Sequence, residues 1–549
     1  MAISRRKFMA ATLAGSAVAM VGGAELVSAL TSSASAASPA GDVVGKISVG
    51  YQGWFACIGD GAPINAWWHW SQNESQAPSP SNNNLKAWPD MSEYTTGYKT
   101  AYSNLNNGQS PTLFSSYDQQ TVNTHFSWMQ QNGCDTAALQ RFNPTGGEGP
   151  TRDAVTAKVR TAAEAYGRKF YIMYDVSGWT TMQADITADW TNKMSAYTSS
   201  SAYARQNGKP VVCIWGFGFN DSNHNFDAAA CLDVVTWFKN QGCYVVGGVP
   251  TYWRTGVSDS RAGFLDVYHA FNMLSPWMVG RIGTAADSDN FYTNVNVPDE
   301  ADCKANGIDY QPCVLPGDLS GRQRAHGDFM WRQFYNMVRA GSQGIYISMF
   351  DEYGEGNQIA KTAATQAGVP AGSGLLSLDE DGTACSSDYY LRLTNDGGKM
   401  LKGQIALTAT RPTSPIAGTT TSSPTASPTA TATGTAGCGV IATNQKFPVN
   451  QPVLSCDGRF ELVLGGDGNL VLYQGSTALW SANTAGKGGV NAYMQGDGNF
   501  VLYNASGTAI WSTGTAGNPG ATLSVQNDGN AVIYSTSGKG LWSTGTAGH

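Results

Sequence analysis

The 549-residue chain contains few charged side chains and only six histidines. Charged residues make up 13% of the sequence and the formal net charge is −7, which disfavours nucleic acid or an anionic membrane as a partner. The histidines do not form the His-Glu-x-x-His pattern of zinc hydrolases. A Gly-x-Ser-x-Gly turn, a Walker-type phosphate loop and a Gly-x-Gly-x-x-Gly turn opening a helix after a strand are also missing. These absences argue against zinc, serine-esterase and nucleotide chemistry, and we expect no metal or cofactor.

After the N-terminal segment, the chain has no hydrophobic run long enough to span a bilayer. Residues 4–9 resemble the twin-arginine export motif, a mildly apolar stretch follows over residues 9–21, and residues 34–36 offer a small-residue cleavage site. Together these features predict a signal peptide over residues 1–36. Its removal reduces the 33 basic and 40 acidic residues to 30 and 39. We therefore expect a secreted, extracellular protein without a membrane anchor.

Ten cysteines are present, and an extracellular location is compatible with disulfide bonds. Cys303 and Cys313 bracket a loop, and Cys438 and Cys456 fall together near the C-terminal end of the chain. Because pairing does not follow from sequence alone, a disulfide within each of these pairs is a hypothesis.

The composition changes sharply near residue 411. Residues 411–437 consist largely of Thr, Ser, Pro, Ala and Gly, with almost no large apolar side chain. Such a stretch cannot bury enough surface to offset its ordering entropy, so it predicts a flexible linker. Two folded units should flank it, one over residues 41–410 and one over residues 438–549.

The smaller unit contains a threefold internal repeat. An Asp-Gly-Asn turn followed by a short apolar strand occurs at residues 467–473, 497–503 and 528–534. Three tryptophans close the repeats at a spacing of 31 residues: Trp480, Trp511 and Trp542. The pattern predicts an all-β domain with three similar faces.

The larger unit alternates short apolar runs with amphipathic stretches. Eight strands alternating with helices over about 370 residues predict a (β/α)8 barrel of the TIM type, with a doubly wound open sheet as the alternative. The predicted strands are residues 47–51, 136–140, 170–174, 211–215, 244–248, 267–272, 311–315 and 345–350. Helical spacing is found over residues 121–131, 152–165, 226–241 and 327–340.

Three carboxylates follow the last predicted strand: Asp351, Glu352 and Glu355. Active residues of such barrels lie at the carboxyl ends of the strands, which favours this position for catalysis. Cleavage of a glycosidic bond needs one protonated carboxyl group at the leaving oxygen and one ionised carboxylate at the sugar. Nearby like charges push the two pKa values apart. The alternative is that Asp351 or Glu352 caps a helix or lies in solvent.

Aromatic and charged residues also follow the other predicted strands. Tryptophan rings at these positions would stack on sugar rings, and carboxylates would hydrogen-bond sugar hydroxyl groups. Taken singly, each of these residues is better explained as a structural group. The candidates for substrate binding in the barrel are His69, Trp70, Arg141, Asp175, Asp221, Trp253 and Trp277, with Arg254 and Asp318 at similar positions.

A Glu-x-x-Glu-Gly segment within residues 350–359 resembles glycoside hydrolase families 71 and 99, as do residues 88–94, 138–142 and 331–336. Family 99 implies a retaining, endo-acting enzyme on α-mannosides. The resemblance assigns Glu352 as the base on the sugar 2-hydroxyl, which gives an anhydro-sugar intermediate. It assigns Glu355 as the general acid/base.

This chain departs from the family 99 pattern between the two glutamates. Tyr353 and Gly354 stand where that family usually carries bulkier aromatic or polar side chains. The departure leaves the substrate and the mechanism open. An inverting or conventional retaining pair that combines a glutamate with Asp175 or Asp221 remains an alternative.

The smaller unit resembles the bulb-type, or monocot mannose-binding, lectins, which fold as a three-sided β-prism. Their site pattern is Gln-x-Asp-x-Asn-x-Val-x-Tyr, and alternation places its polar side chains on one face of a strand. The alternative is that the Asp and Asn residues serve only the turns. The first repeat has Gly465 in place of Gln, so we expect two working sites and a weak or lost first one. The mannose-binding candidates are Asp467, Asn469, Val471 and Tyr473, then Gln495, Asp497, Asn499, Val501 and Tyr503, and then Gln526, Asp528, Asn530, Val532 and Tyr534.

Together these features favour a glycoside hydrolase whose lectin module holds it on a mannose-containing polysaccharide or glycan. A non-catalytic carbohydrate-binding protein with a degenerate barrel is the first alternative. A lectin-type defence or adhesion protein is the second, and it leaves the larger unit without a role.

Overall fold

The computed structural model describes residues 38–416 and 439–548, except for residues 442, 450–451, 456–458, 476, 527 and 537. The predicted signal peptide, residues 417–437 of the predicted linker, and both Cys438 and Cys456 lie outside the described residues. Within the described ranges, no helix is both long and apolar enough to cross a membrane.

The larger unit contains strands that alternate with helices along the chain. Its strands are β1 (Ile47–Tyr51), β2 (Tyr98–Lys99), β3 (Thr112–Leu113), β4 (Thr136–Arg141), β5 (Lys169–Asp175), β6 (Arg205–Gln206), β7 (Lys209–Trp215), β8 (Tyr244–Val249), β9 (Met273–Pro276), β10 (Asp309–Tyr310), β11 (Cys313–Val314) and β12 (Ile345–Ile347). Its α-helices are α1 (Gln119–Gln131), α2 (Gly149–Tyr166), α3 (Met182–Asn192), α4 (Ala228–Asn240), α5 (Leu265–His269), α6 (Ala285–Phe291), α7 (Val297–Ala305), α8 (Asp328–Arg339) and α9 (Tyr389–Leu401).

The main sheet of this unit is a parallel barrel. The pairing order is β10, β9, β8, β7, β5, β4, β1, β12 and β11, and β10 and β11 are parts of one segment separated only by Gln311 and Pro312. The Gln311 N–H donates to the carbonyl of Leu274 at 2.8 Å, and the Tyr346 N–H donates to the carbonyl of Pro312 at 3.0 Å. Both ends of the pairing order therefore meet in one segment. The predicted α/β barrel is confirmed, and the open-sheet alternative is wrong.

Most predicted strands coincide with observed ones because they are apolar runs buried on both faces, as parallel strands are. The runs predicted from residues 47, 136, 170, 211 and 244 are β1, β4, β5, β7 and β8. The strand predicted at residues 267–272 is wrong, since its first three residues belong to α5 and β9 begins at Met273. A helix of five residues is too short for a helical period to show, so its buried Val267 and Tyr268 look like a strand.

Two glycines bring α9 against α8 and β1. A Cβ atom at Gly397 would lie 2.5 Å from Phe334, and one at Gly398 would lie 3.0 Å from Ile47. Phe334 is one of the buried apolar residues on the inward face of α8. Glycine lowers the intrinsic stability of a helix, so its presence here reflects the close approach of the two helices.

The eight cysteines among the described residues are free and buried. Cys303 lies on α7, whereas Cys313 lies in strand β11 of the barrel. The disulfide predicted between them is wrong, since both thiols are free.

The smaller unit consists of three four-stranded antiparallel sheets with strand orders β13-β22-β23-β24, β14-β19-β20-β21 and β15-β16-β17-β18. The rings of Trp480, Trp511 and Trp542 contact one another, with centroid distances of 5.5–5.8 Å. Alternate strand residues such as Leu472, Leu502 and Ile533 fill a common core. The strands are β13 (Val440–Ile441), β14 (Gln445–Pro448), β15 (Val453–Leu454), β16 (Phe460–Leu464), β17 (Leu470–Gln474), β18 (Thr477–Ser481), β19 (Gly489–Met494), β20 (Phe500–Asn504), β21 (Ala509–Ser512), β22 (Thr522–Val525), β23 (Ala531–Tyr534) and β24 (Gly540–Ser543).

Candidate active site and lectin sites

The loop after β12 carries the three carboxylates of the predicted active site. The Met349 N–H donates to the carbonyl of Asn357 at 3.1 Å, and the Ile359 N–H donates to the carbonyl of Met349 at 3.0 Å. These bonds close the base of the loop, so residues 351–356 form its tip at the carboxyl end of the barrel.

Asp351 ties this loop to the end of β1. Its two carboxylate oxygens accept the backbone N–H groups of Gln52 at 2.7 Å and Gly53 at 2.9 Å. Burial raises the pKa of Asp351 to about 6, although these hydrogen bonds act in the opposite direction. Each oxygen of the carboxyl group accepts a backbone N–H, which makes Asp351 a structural anchor of the loop.

Glu352 is buried, and its Oε2 accepts the Nε2–H of Gln52 at 2.7 Å. A Cβ atom at Gly354 would lie 3.1 Å from Oε1 of Glu352, so a larger residue there would crowd this oxygen. The carboxylate is therefore oriented by a neutral amide on one oxygen and bordered by a glycine at the other.

Glu355 is half-buried at the tip of the same loop. The chain just beyond it is held by Arg324, whose Nη2 donates to the carbonyls of Gly356 and Gln358, both at 2.8 Å. The Arg324 guanidinium is buried and lies 4.3 Å from the ring centroid of Tyr390. Arg324 therefore fixes the backbone that follows Glu355.

Gln52 and Arg324 are not among the site residues predicted from the sequence. Gln52 directly follows β1, so the strand-end rule that selected Glu352 would also have selected it. Arg324 lies in a long loop and has no comparable signal in the sequence.

Several buried polar atoms near the ends of β1 and β4 have no hydrogen-bond partner. Arg152 Nη1 donates to the carbonyls of Gln52 and Gln140, and the His69 ring stacks on Trp54 at 3.6 Å. Burial, together with Arg152, holds the pKa of His69 well below its usual range. Unpartnered buried polar atoms are rare, and at this end of a barrel they suit a polar ligand. They are Gln52 Oε1, Trp54 Nε1, His69 Nε2, Gln140 Oε1 and Arg152 Nη2.

Three other predicted substrate-binding residues are buried among structural partners. Trp70 has no exposed surface, stacks on Phe55 at 3.8 Å and donates to the carbonyl of Phe114. The indole of Trp253, also buried, donates to Asp299 at 2.9 Å, and Arg254 pairs with the same carboxylate. Arg141 is buried and donates to Asp189 and Asp153. Trp70, Trp253 and Arg141 therefore pack within the unit.

Asp175 and Asp221 are joined by a chain of hydrogen bonds. Nδ1 of His224 lies 2.8 Å from Asp221, and its Nε2 lies 2.8 Å from Oγ of Ser177. The same hydroxyl donates to Asp175 at 2.5 Å. Burial acts to raise the pKa of Asp221, but its hydrogen bonds with His224 outweigh burial and lower it. A hydroxyl has one proton. When Ser177 donates it to Asp175, its oxygen accepts from Nε2 of His224.

The remaining strand-end candidates flank this chain of hydrogen bonds or the loop after β12. Trp277 contacts Trp215 edge-on at 5.3 Å, and Trp215 contacts His224 at 5.4 Å. Asp318 accepts the N–H of Ser320 and lies against Gly356, where a Cβ atom would be 2.9 Å from Oδ1.

In the smaller unit, the motif residues share one pattern of hydrogen bonds. Asp497 accepts the N–H of Asn499 within the turn, and the Asn499 side chain accepts the N–H of Thr515 in the segment after β21. The Gln495 amide donates to the Tyr503 hydroxyl at 2.6 Å, and Gln526 donates likewise to Tyr534 at 2.8 Å.

The first repeat keeps this turn but lacks the glutamine. Asp467 accepts the N–H of Asn469 as in the other repeats, whereas Gly465 cannot supply an amide to Tyr473. The structure therefore shows two complete motifs and an incomplete first one.

No family model matches the chain. The B-type lectin plumieribetin of Scorpaena plumieri is 34% identical over 67 residues, which cover 12% of this chain and 58% of that lectin. The mannose-specific agglutinin of snowdrop, Galanthus nivalis, is 34% identical over 20% of this chain and 96% of its own, with a TM-score of 0.17. The family 99 endo-α-mannosidase of Bacteroides thetaiotaomicron is 14% identical over 66% of this chain and 98% of its own, with a TM-score of 0.47. The two units resemble a glycoside hydrolase and a bulb-type lectin.

Proposed function

We propose that this chain is a secreted, retaining glycoside hydrolase that acts on a mannose-containing polysaccharide or glycan. In this proposal the larger unit is a (β/α)8 barrel, and the smaller one is a three-sided β-prism that targets the enzyme to its substrate. The observation that carries the proposal is the loop after β12, which presents Glu352 and Glu355 at the carboxyl end of the barrel. This is where barrel enzymes place their reactive groups.

In the proposed reaction, Glu352 removes the proton of the sugar 2-hydroxyl while that oxygen attacks C1. Glu355 protonates the departing glycosidic oxygen, which leaves an anhydro sugar and a shortened chain. Water then attacks C1, Glu355 accepts its proton, and Glu352 returns the first proton to the sugar oxygen. Two displacements at C1 retain its configuration.

The environment of the two glutamates supports these roles. The Gln52 amide donates to Oε2 of Glu352, and Oε1 lies beside Gly354. Arg324 fixes the chain beyond Glu355. The unpartnered Oε1 of Gln140 would accept from a sugar hydroxyl group, and Nε2 of neutral His69 would donate to or accept from another, according to the tautomer.

The test is release of reducing ends from α-mannans and other polysaccharides by wild type, Glu352→Gln and Glu355→Gln. We expect wild type to cut a mannose-containing polymer and each variant to lose at least about a hundredfold in rate, the scale of general acid–base catalysis. Glu164→Gln is the matched control because this glutamate lies on α2, paired with Arg160.

Two outcomes would contradict the proposal. Wild type that cuts nothing while still binding mannan would favour the non-catalytic carbohydrate-binding protein. Cleavage that survives in both glutamate variants but not in Asp175→Asn would move the chemistry to the other carboxylates.

A further inference from the structure

Each sheet of the smaller unit carries a row of cross-strand neighbours that includes the motif valine. Directly opposed residues lie on the same face of a sheet, with their Cβ atoms about 5 Å apart. The rows are Val463, Val471 and Ser481 in the first repeat, Lys446, Tyr493, Val501 and Ser512 in the second, and Val440, Ser524, Val532 and Ser543 in the third.

The second row differs from the other two by an aromatic ring and an ammonium group. Tyr493 stands where the first repeat has Val463 and the third has Ser524. Its ring lies 6.1 Å from that of the motif Tyr503 at an angle of 71°, and Lys446 Nζ lies 5.9 Å from its centroid. The surface that presents the motif therefore continues onto Tyr493 in this repeat.

An open cavity of about 420 Å³ lies at this place. A cavity of this size falls in the range of about 300–1,000 Å³ that small-ligand sites occupy. Two of its residues belong to the motif, and the others come from outside the pattern. Its lining consists of Asn444, Tyr493, Met494, Gln495, Gly496 and Tyr503.

We propose that the second repeat binds an oligosaccharide through two adjacent sugar residues, whereas the third binds one. One sugar occupies the motif beside Gln495 and Tyr503. The next stacks its ring carbons on Tyr493, and Lys446 and Asn444 donate to its hydroxyl groups. This inference rests on the proposed mannose binding and gives the two complete motifs different ligands.

The test compares affinity for methyl α-mannoside with affinity for an α-linked mannotriose, by calorimetry on the full chain. Glu352→Gln and Glu355→Gln prevent hydrolysis in every sample, and Asp528→Asn silences the third site. We expect the second site to bind the mannotriose about tenfold more tightly than the monosaccharide. Tyr493→Ser should bring the two affinities within about twofold, and Tyr493→Phe should keep the preference because it keeps the ring.

The third repeat supplies the reciprocal experiment. With Asp497→Asn silencing the second site, Ser524→Tyr should give the third site a preference for the mannotriose. The double variant Asp497→Asn/Asp528→Asn measures sugar bound elsewhere in the chain, which is subtracted. Unchanged monosaccharide affinity in Tyr493→Ser shows that the motif is still folded.

Equal preference for the mannotriose in wild type and Tyr493→Ser would overturn the two-residue site. If neither site binds methyl α-mannoside, the proposed mannose binding fails as well. The monosaccharide titration therefore separates the two failures.

Discussion

Asp351 and Glu352 are adjacent in sequence but have different partners. Asp351 accepts two backbone N–H groups from the segment after β1, whereas Glu352 accepts a side-chain amide from the same segment. The first carboxyl group holds the loop, and the second is the one the proposed reaction uses. One short acidic cluster thus contains both an anchor and a candidate base.

The variant Asp351→Asn tests the buried anchor through pH. Because burial raises the pKa of Asp351 to about 6, the folded state binds its proton more tightly than the unfolded chain. Its contribution to stability is present below about pH 4 and is lost as pH rises through about 6, a loss of about 3 kcal/mol. The free energy of unfolding of wild type minus that of the variant should fall by most of this amount, about 2 kcal/mol, between pH 4 and pH 7.

Urea unfolding at several pH values measures this difference. The other ionisable groups are the same in both proteins, so their effects on the free energy of unfolding cancel. Asn supplies one acceptor instead of two, so the variant is also less stable by an amount that does not depend on pH. A difference that stays constant from pH 4 to pH 7 would contradict the raised pKa.

At the scale of residues, the sequence predicts which side chains follow a strand better than it predicts which side chains are buried. Position after a strand was enough to select Glu352 and Glu355. Gln52 directly follows β1, so the same criterion would also have selected it. Burial of Trp70 and Trp253 depends on partners distant in sequence, Phe114 and Asp299, which no local pattern reveals.

At the scale of elements, the contact between α8 and α9 depends on the absence of a side chain at Gly397. In Gly397→Ala the added Cβ would lie 2.5 Å from Phe334, so one helix must move. The higher helix propensity of Ala offsets part of this cost. We expect a net loss of about 1–2 kcal/mol in the free energy of unfolding, measured with urea.

Phe334→Leu in the same chain should recover part of that loss, because a smaller side chain makes room for the new methyl group. Gly147→Ala is the matched control, since no atom lies within 4 Å of its added Cβ. Equal stability of wild type and Gly397→Ala would show that the helices are not held at this distance by the glycine.

Elements were predictable where one physical signal dominated. Strands such as β1 and β4 are buried along their whole length, so apolar runs marked them. The helix α5 is too short to show a period. The strand predicted at residues 311–315 overlaps only β11, because residues 311–312 separate β11 from β10.

At the scale of the whole molecule, the lectin module should affect activity only on polymeric substrate. In the proposed function, binding near one cleavage site raises the local concentration of many others. Asp497→Asn/Asp528→Asn should therefore reduce release of reducing ends from insoluble mannan several-fold and leave hydrolysis of a short soluble mannoside unchanged.

Asp467→Asn is the control for this experiment, because its repeat lacks the glutamine of the motif. It should cut insoluble mannan at the wild-type rate. Equal loss on soluble and insoluble substrates would show that the module acts on the barrel rather than on targeting.

The segment with Gln311 and Pro312 is where the two ends of the barrel sheet meet. The flanking strands β10 and β11 have two residues each, and proline has no N–H to add to the ladder. The ladder between β4 and β5, on the opposite side of the barrel, runs over six residue pairs. Local opening begins where the fewest hydrogen bonds must break, so we expect the amide protons of β10 and β11 to exchange with solvent before those of β4 and β5. We therefore expect unfolding of the barrel to begin at β10 and β11. Of these, β11 pairs with β12, the strand that leads into the loop with the three carboxylates.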